Sequence, residues 1–199
     1  MKENRYSGTF IVIEGADGAG TTTQSKKLAD QLDSDWTFEP TDNSIGNKVD
    51  QMISSDNYSP ESIALGFAAD RMIHLEQEII PRLKNGETVV CDRYYHSSLV
   101  YQPVLGADYN WVKKINREAI KPDLTIIIDV SAEEGMSRVQ ERGEGDNIFE
   151  KLDFQQKVVL KYRRLEDDLD EEIVIIDGSK SIEEVSNRIK QILDRKNLP

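Results

Sequence analysis

The sequence predicts a three-layer α/β/α sandwich around a five-stranded parallel sheet, and three observations carry that prediction. Apolar, β-branched runs of strand length alternate with longer segments of helical periodicity. A glycine-rich turn follows the first run directly and opens the first helix. At 199 residues the chain can bury roughly two-thirds of its unfolded surface, so neither a disulfide nor a metal staple is required.

The first strand is Thr9–Ile13 (TFIVI), and a short second one is Trp36–Phe38. Thr88–Cys91 (TVVC), Leu124–Val130 (LTIIIDV) and Ile173–Ile176 (IVII) complete the set. Runs this apolar, with no polar alternation, suit strands covered on both faces. Between them the helix starts carry their own chemistry. Ser59-Pro60 supplies an N-cap and a first-turn proline, while Ser131 with Glu134 and Ser181 with Glu184 have capping-box spacing. Ile63 to Leu83 is a long amphipathic stretch in which Pro81 ends or kinks the helix; Trp111–Ile120 and Phe154–Leu169 are further helical segments. Arg142-Gly-Glu-Gly-Asp-Asn147 is polar and glycine-bearing and reads as a mobile loop. No repeat, low-complexity block or shift in composition marks a boundary, so one domain over 1–199 is expected, with a lid at about 142–152.

The strongest functional signal is Gly15-Ala16-Asp17-Gly18-Ala19-Gly20-Thr21-Thr22, set between the first strand and a helix through Gln24 to Leu32. Glycines let successive backbone N–H groups converge on phosphate oxygens, and the helix start adds partial positive charge. This arrangement points to a P-loop NTPase type of fold. Against G-x-x-x-x-G-K-[ST], Gly15, Gly20 and Thr22 match, but Thr21 stands at the lysine position. A unit charge about 4 Å from a phosphate oxygen is worth up to about 4 kcal/mol at an effective dielectric near 20, roughly three orders of magnitude in rate. Three readings follow: a cation from elsewhere replaces the lysine, the enzyme is slow, or the domain binds nucleotide without catalysis. Lys26 and Lys27 lie more than a helical turn beyond Thr21, which carries them away from the phosphates. An arginine of the 142–147 loop is the better source.

Composition narrows the setting. Twenty-five basic against thirty-seven acidic residues leave a net charge of −12, which disfavours nonspecific contact with nucleic acid or an anionic membrane surface. No stretch reaches the roughly 20 apolar residues of a membrane span, and the start MKENRYSGTF has no apolar signal core. The one cysteine, Cys91, excludes a disulfide framework and reads as a packing residue, so a cytoplasmic location is expected.

Further motifs are spread along the chain. Glu14 precedes the glycine loop; Phe67-Ala-Ala-Asp-Arg71 places an aromatic ring and a guanidinium on one helix face; Asp92-Arg93-Tyr-Tyr-His-Ser97-Ser-Leu-Val-Tyr101-Gln102 follows the third strand, where open α/β sheets bind ligands. Lys121-Pro-Asp-Leu-Thr125 leads into the fourth strand, Arg138 and Arg142-Gly143-Glu144 come after it, and Asp177-Gly-Ser179-Lys180-Ser181 follows the last. Together they resemble the thymidylate kinase family over nearly the whole length, the element from Asp92 to Gln102 being the most specific. Departures are Thr21, Phe38 before Glu39-Pro40 where relatives have arginine, Asn147 where a second lid arginine would fall, and Pro103-Val-Leu-Gly106 in place of a glycine triplet.

The resemblance implies a nucleoside monophosphate kinase that phosphorylates dTMP to dTDP with ATP and Mg²⁺, in dTTP synthesis, as a symmetric homodimer. It implies Asp17 near the sugar 3′-hydroxyl or acceptor phosphate, and Glu39, Phe67, Arg71, Ser97, Tyr101 and Gln102 around dTMP. It puts Arg93 on the acceptor phosphate, Ser97 and Gln102 on the thymine edge, and Tyr101 on the sugar face that a 2′-hydroxyl would strike. Arg138, Ser179 and Lys180 fall on the adenine side, and Arg142 over the donor when the lid closes. Asp92 with Thr22 would hold Mg²⁺, or Asp92 simply caps a helix. His96 reads as packing or polar support, and His74 has no partner that sequence can name. Two alternatives stay open: a kinase for another pyrimidine monophosphate or a deoxynucleoside, and a catalytically impaired regulatory protein that binds nucleotide.

Overall fold

A computed structural model describes residues 1–55, 57–141 and 148–199. Five strands form one sheet in the order β2-β3-β1-β4-β5: β1 Phe10–Gly15, β2 Asp35–Phe38, β3 Val89–Asp92, β4 Leu124–Asp129 and β5 Ile173–Asp177. Every neighbouring pair is parallel, with Val12 of β1 opposite Cys91 on one side and Thr125 on the other. The expected sandwich is therefore present, each strand within two residues of its sequence boundaries.

Alternation along β1 explains the three layers. Phe10 and Val12 pack on one face with Leu75, Ile79, Leu83, Leu99 and Tyr162, whereas Ile11 and Ile13 join Leu28, Val185, Ile189 and Ile192 on the other. The first face carries α3 (Pro60–His74), α4 (Ile80–Lys84), α5 (Tyr95–Val104), α6 (Tyr109–Ile115) and α8 (Ile148–Tyr162). The second carries α1 (Thr21–Leu32) and α10 (Ile182–Lys196). The remaining helices are α2 (Ser44–Ile53), α7 (Ala132–Glu141) and the short α9 (Leu165–Asp168).

The caps expected at Ser59 and Ser181 are formed, while at Ser131 only half of the expected capping box forms, the Glu134 carboxylate going to Arg138. Ser59 accepts from Ser62 N–H with Pro60 in the first turn, Ser131 accepts from Glu134 N–H at 3.1 Å, and Ser181 with Glu184 closes a full capping box. Asn43 caps α2 by accepting from the N–H groups of Ile45 and Gly46, a helix start with no counterpart among the sequence expectations.

Three helices differ in extent from the sequence reading. Pro81 neither ends nor isolates its helix: Leu75–Ile79 forms a π-helical segment just before it, and α4 continues to Lys84. A proline has no N–H to give the preceding turn, and widening that turn accommodates its ring. Helix α6 stops at Ile115 because the side chain of Asn116 turns back to donate to Val112 O at 2.9 Å. The expected helix over Phe154–Leu169 starts earlier, at Ile148, and breaks at Arg163-Arg164 before α9.

Candidate active site

The glycine loop lies at the C-terminal end of β1, the centre of the sheet. Gly18 and Gly20 adopt φ of 77° and 91°, and α1 begins at Thr21 with Gly20 as its N-cap and no side-chain cap. The first N–H groups of α1 are therefore left for a ligand. A Cβ on Gly18 would lie 2.1 Å from Gly135 O, and one on Gly135 would lie 2.4 Å from Asp17 O. The loop thus rests directly on the backbone of α7, and Gly135 is part of its support, a role that a lone helical glycine does not announce.

Arg138, also on α7, donates to Gly18 O at 3.4 Å, to Gly178 O at 2.9 Å and to Glu134 at 2.6 Å. It ties the glycine loop to the turn after β5, where Ser179 and Lys180 are exposed. On the other flank Thr22 Oγ1 donates to Asp92 Oδ2 at 2.5 Å. Asp92 is buried, and its Oδ1 has no hydrogen-bond partner among the described residues. Lys26 sits over the Trp36 ring and Lys27 pairs with Glu183, so both lysines of α1 face away from the loop.

Arg93 begins the wall on the other side of the loop. Its backbone is left-handed, with φ 65°, and the turn brings the guanidinium back across the loop. Nη1 donates to Gly15 O at 3.1 Å and Ser97 Oγ at 3.2 Å; Nη2 pairs with Asp17 Oδ1 at 3.0 Å. Tyr101 donates to the same Asp17 oxygen at 2.8 Å. Gln155, on α8, donates to Asp17 Oδ2 at 2.6 Å while its Oε1, buried, has no partner among the described residues. Burial disfavours the charge on Arg93, but Tyr101, Tyr162, Asp17 and Glu14 outweigh it and raise its pKa well above the ordinary value. Arg93 remains a cation.

Behind this wall Glu14 is fully buried and accepts four hydrogen bonds: from Tyr94 N–H at 2.7 Å, Ser97 N–H at 3.2 Å, Ser97 Oγ at 2.7 Å and Tyr162 OH at 2.9 Å. The carboxylate caps the start of α5 from another strand. Burial, with Glu14 nearby, pushes the Tyr162 hydroxyl well up, and burial likewise raises Tyr101, so both phenols donate at neutral pH. Gln155 and Tyr162 were not among the sequence candidates. Their register on α8, seven residues apart on one helix face, was the available signal.

The base-side candidates are arranged differently. Arg71 is almost wholly buried, pairing with Glu39 at 2.7 Å and donating to Asn116 Oδ1 and, at 3.3 Å, to Ser98 Oγ. Glu39 also meets His74 Nδ1 at 3.1 Å, and His74 Nε2 meets Thr37 Oγ1 at 2.7 Å, which supplies the partners sequence could not name. Phe67 is half-buried on the same helix. Gln102 is 3 % exposed, and its Oε1 has no partner among the described residues. Arg142, Gly143, Glu144 and Asn147 lie outside the described residues.

Among the described residues no three His, Cys, Asp or Glu side chains cluster as a metal cage. Thr22 Oγ1 and Asp92 Oδ1, the latter without a partner among the described residues, nevertheless present the hard oxygen donors that Mg²⁺ takes when phosphates and water complete its shell.

A parallel α/β sheet whose central strand runs through a glycine loop into an uncapped helix start defines a P-loop nucleotide-binding protein. The profile of the family described as thymidylate kinase matches residues 13–189. A probable thymidylate kinase of Methanocaldococcus jannaschii is 43 % identical over 192 residues, covering 96 % of this chain and 97 % of that protein. Probable thymidylate kinases of Methanococcus aeolicus and Pyrococcus abyssi are 41 % and 38 % identical, covering 94 % and 92 % of this chain and 97 % and 94 % of those proteins. The chain belongs to the thymidylate kinase family, and so to the nucleoside monophosphate kinases. Among the described residues no helix is long and apolar enough to cross a membrane.

Proposed function

We propose that the protein transfers the γ-phosphoryl group of ATP to the 5′-phosphate of dTMP, giving ADP and dTDP on the route to dTTP. The observation that carries this reading is the acceptor wall, in which Arg93 is held against the glycine loop by Asp17, Gly15 O and Tyr101. A cation fixed at the junction of donor loop and acceptor pocket serves an acceptor that is itself an anion. The unpartnered Oε1 of Gln102 suits a base with an N–H donor at its Watson–Crick edge, as thymine and uracil have at the ring nitrogen where cytosine has none.

In the reaction an oxygen of the acceptor phosphate forms the new P–O bond as the bond from the γ-phosphorus to the β-phosphate oxygen breaks. The acceptor is already anionic, so no strong general base is needed. Glycine-loop N–H groups hold the donor phosphates, and Arg93 orients the acceptor and offsets repulsion between the two anions. Asp17, positioned by Arg93, Tyr101 and Gln155, meets the sugar 3′-hydroxyl or the acceptor phosphate. Thr22 and Asp92 would hold Mg²⁺, which when bound supplies charge neutralisation at the phosphates. A lid at about 142–152 closes over the single domain and brings in Arg142 for the lysine absent at Thr21, excluding water.

Exposed Ile53, Tyr58 and Leu65 on and between α2 and α3 support a homodimer through that face. The free, buried Cys91 suits the reducing cytoplasm. The second reading, a regulatory protein that binds nucleotide, draws on Thr21. Coupled turnover of ATP with dTMP, dUMP and dCMP tests both. Binding of ATP and dTMP without turnover supports regulation, and equal rates with dCMP refute the base-side assignment.

A further inference from the structure

Behind the acceptor wall lies an imidazole that this mechanism does not use. His96, in the first turn of α5, is fully buried and stacks on Tyr95 with ring centroids 4.1 Å apart. Its Nε2 is 3.1 Å from Glu171 Oε2 and 3.3 Å from Thr125 Oγ1. Tyr95 OH donates to the same Glu171 oxygen at 2.5 Å. On the opposite side Nδ1 has no hydrogen-bond partner among the described residues and faces Glu14 Oε1 at 3.8 Å. An enclosed polar atom without a partner is costly unless something is gained from it.

The groups facing the ring come from every packed element. Glu14 belongs to β1, Thr125 to β4, Tyr94 and Tyr95 open α5, Glu171 precedes β5, and Tyr162 of α8 stands across Glu14. Although burial raises the Glu171 carboxyl, hydrogen bonds from His96 and Tyr95 and the charge of Lys121 bring it below its ordinary value. An ionised Glu171 takes a proton-bearing Nε2, which leaves Nδ1 to confront Glu14 either as a lone pair or as a second N–H. Only the second completes a link between the two carboxylates.

We propose that His96 is a positioning residue for Arg93: anchored by Glu171, it sets the Glu14 carboxylate, and Glu14 acts through Ser97 and Tyr162 on the guanidinium that meets the acceptor phosphate. The chain of contacts is continuous, since Ser97 Oγ and Tyr162 OH bond both to Glu14 and to Arg93 Nη1, the latter at 3.2 and 3.5 Å. Glu171 also lines an open hollow of about 470 Å³ with Glu3, Lys121 and Asp170, beside the starts of β4 and β5 and away from the glycine loop. The inference rests on the dTMP reading for the identity of the acceptor.

The test compares wild type, His96→Gln and Glu171→Gln for KM of dTMP and of ATP. His96→Gln is expected to raise the dTMP KM about three- to tenfold, the worth of one buried hydrogen bond, with the ATP KM unchanged. Equal changes in both KM values would overturn the proposal. Should that variant fail to fold, Glu171→Gln keeps an acceptor for Nε2 and removes the charge; an unaltered dTMP KM there overturns it as well. Absence of wild-type dTMP turnover would sink the proposed reaction instead. The Arg93 Nε–H resonance then decides: displaced in His96→Gln if His96 positions it, unmoved if it does not.

Discussion

The two sides of the phosphate site are built on different principles. The proposed acceptor side is a web of side chains: Arg93, Asp17, Tyr101, Ser97, Tyr162 and Glu14 are bonded to one another. The donor side is mostly backbone, a loop supported by Gly135 and by Arg138, with Thr21 where a lysine would stand. Electrostatic stabilisation by groups already in place costs no reorganisation during reaction. On the proposed reading the Arg93 side is built from fixed side-chain partners, whereas the donor side would take its cation from the lid.

The sharpest way to break this comparison is to remove the acceptor cation. Arg93→Met keeps bulk but leaves Asp17 and the acceptor phosphate without their positive partner. We expect kcat/KM for dTMP to fall by about a hundred- to a thousandfold, the range for one electrostatic donor, in a coupled assay. A loss below about tenfold would mean that the web holds without its centre.

On the donor side the expected change has the opposite sign. Thr21→Lys should raise turnover by about tenfold or more, because tenfold needs only about a third of the roughly 4 kcal/mol that a charge near the phosphates can supply. Arg142→Ala should cost at least about a hundredfold if that residue supplies the missing charge. A silent Arg142→Ala moves the search to Arg138, Lys151 or Arg163. Of these, Arg138 already grips the loop and Arg163 is engaged with Asp129.

This contrast also explains what could be read from sequence. The sheet was legible because buried parallel strands are apolar throughout, and the glycine loop because its spacing has few other uses. Arg93, Asp17 and Tyr101 stood in recognisable motifs, and the structure brings them within hydrogen-bond reach. Gln155, Tyr162 and Gly135 escaped notice because their roles arise only when α7 and α8 fold back on the loop. Arg71 shows the same limit from the other direction. Its helical spacing with Phe67 suggested a ligand contact, yet its guanidinium is largely taken up by Glu39, Asn116 and Ser98, partners far away in sequence.

A smaller effect separates the base edge from the phosphate wall. Gln102→Leu removes a carbonyl that has no partner among the described residues, so the protein should lose little stability. The dTMP KM should rise about tenfold, and the preference for dTMP over dCMP should shrink by a similar factor. Unchanged selectivity would detach Gln102 from the base while leaving the Arg93 wall intact.

The smallest change concerns stability alone. Glu171 has its pKa lowered in the folded protein, despite burial, by His96, Tyr95 and Lys121. A depressed carboxylate contributes stability that is present above its unfolded value, about 4.3, and is lost as pH falls through the lower folded value. Acid unfolding of the wild type should therefore steepen below about pH 4.3, and Glu171→Gln should flatten that limb while lowering stability at neutral pH. Melting temperatures measured from neutral pH into acid check the sign. If the two proteins keep parallel profiles, Glu171 is not ionised against His96, and the acceptor web ends at Glu14.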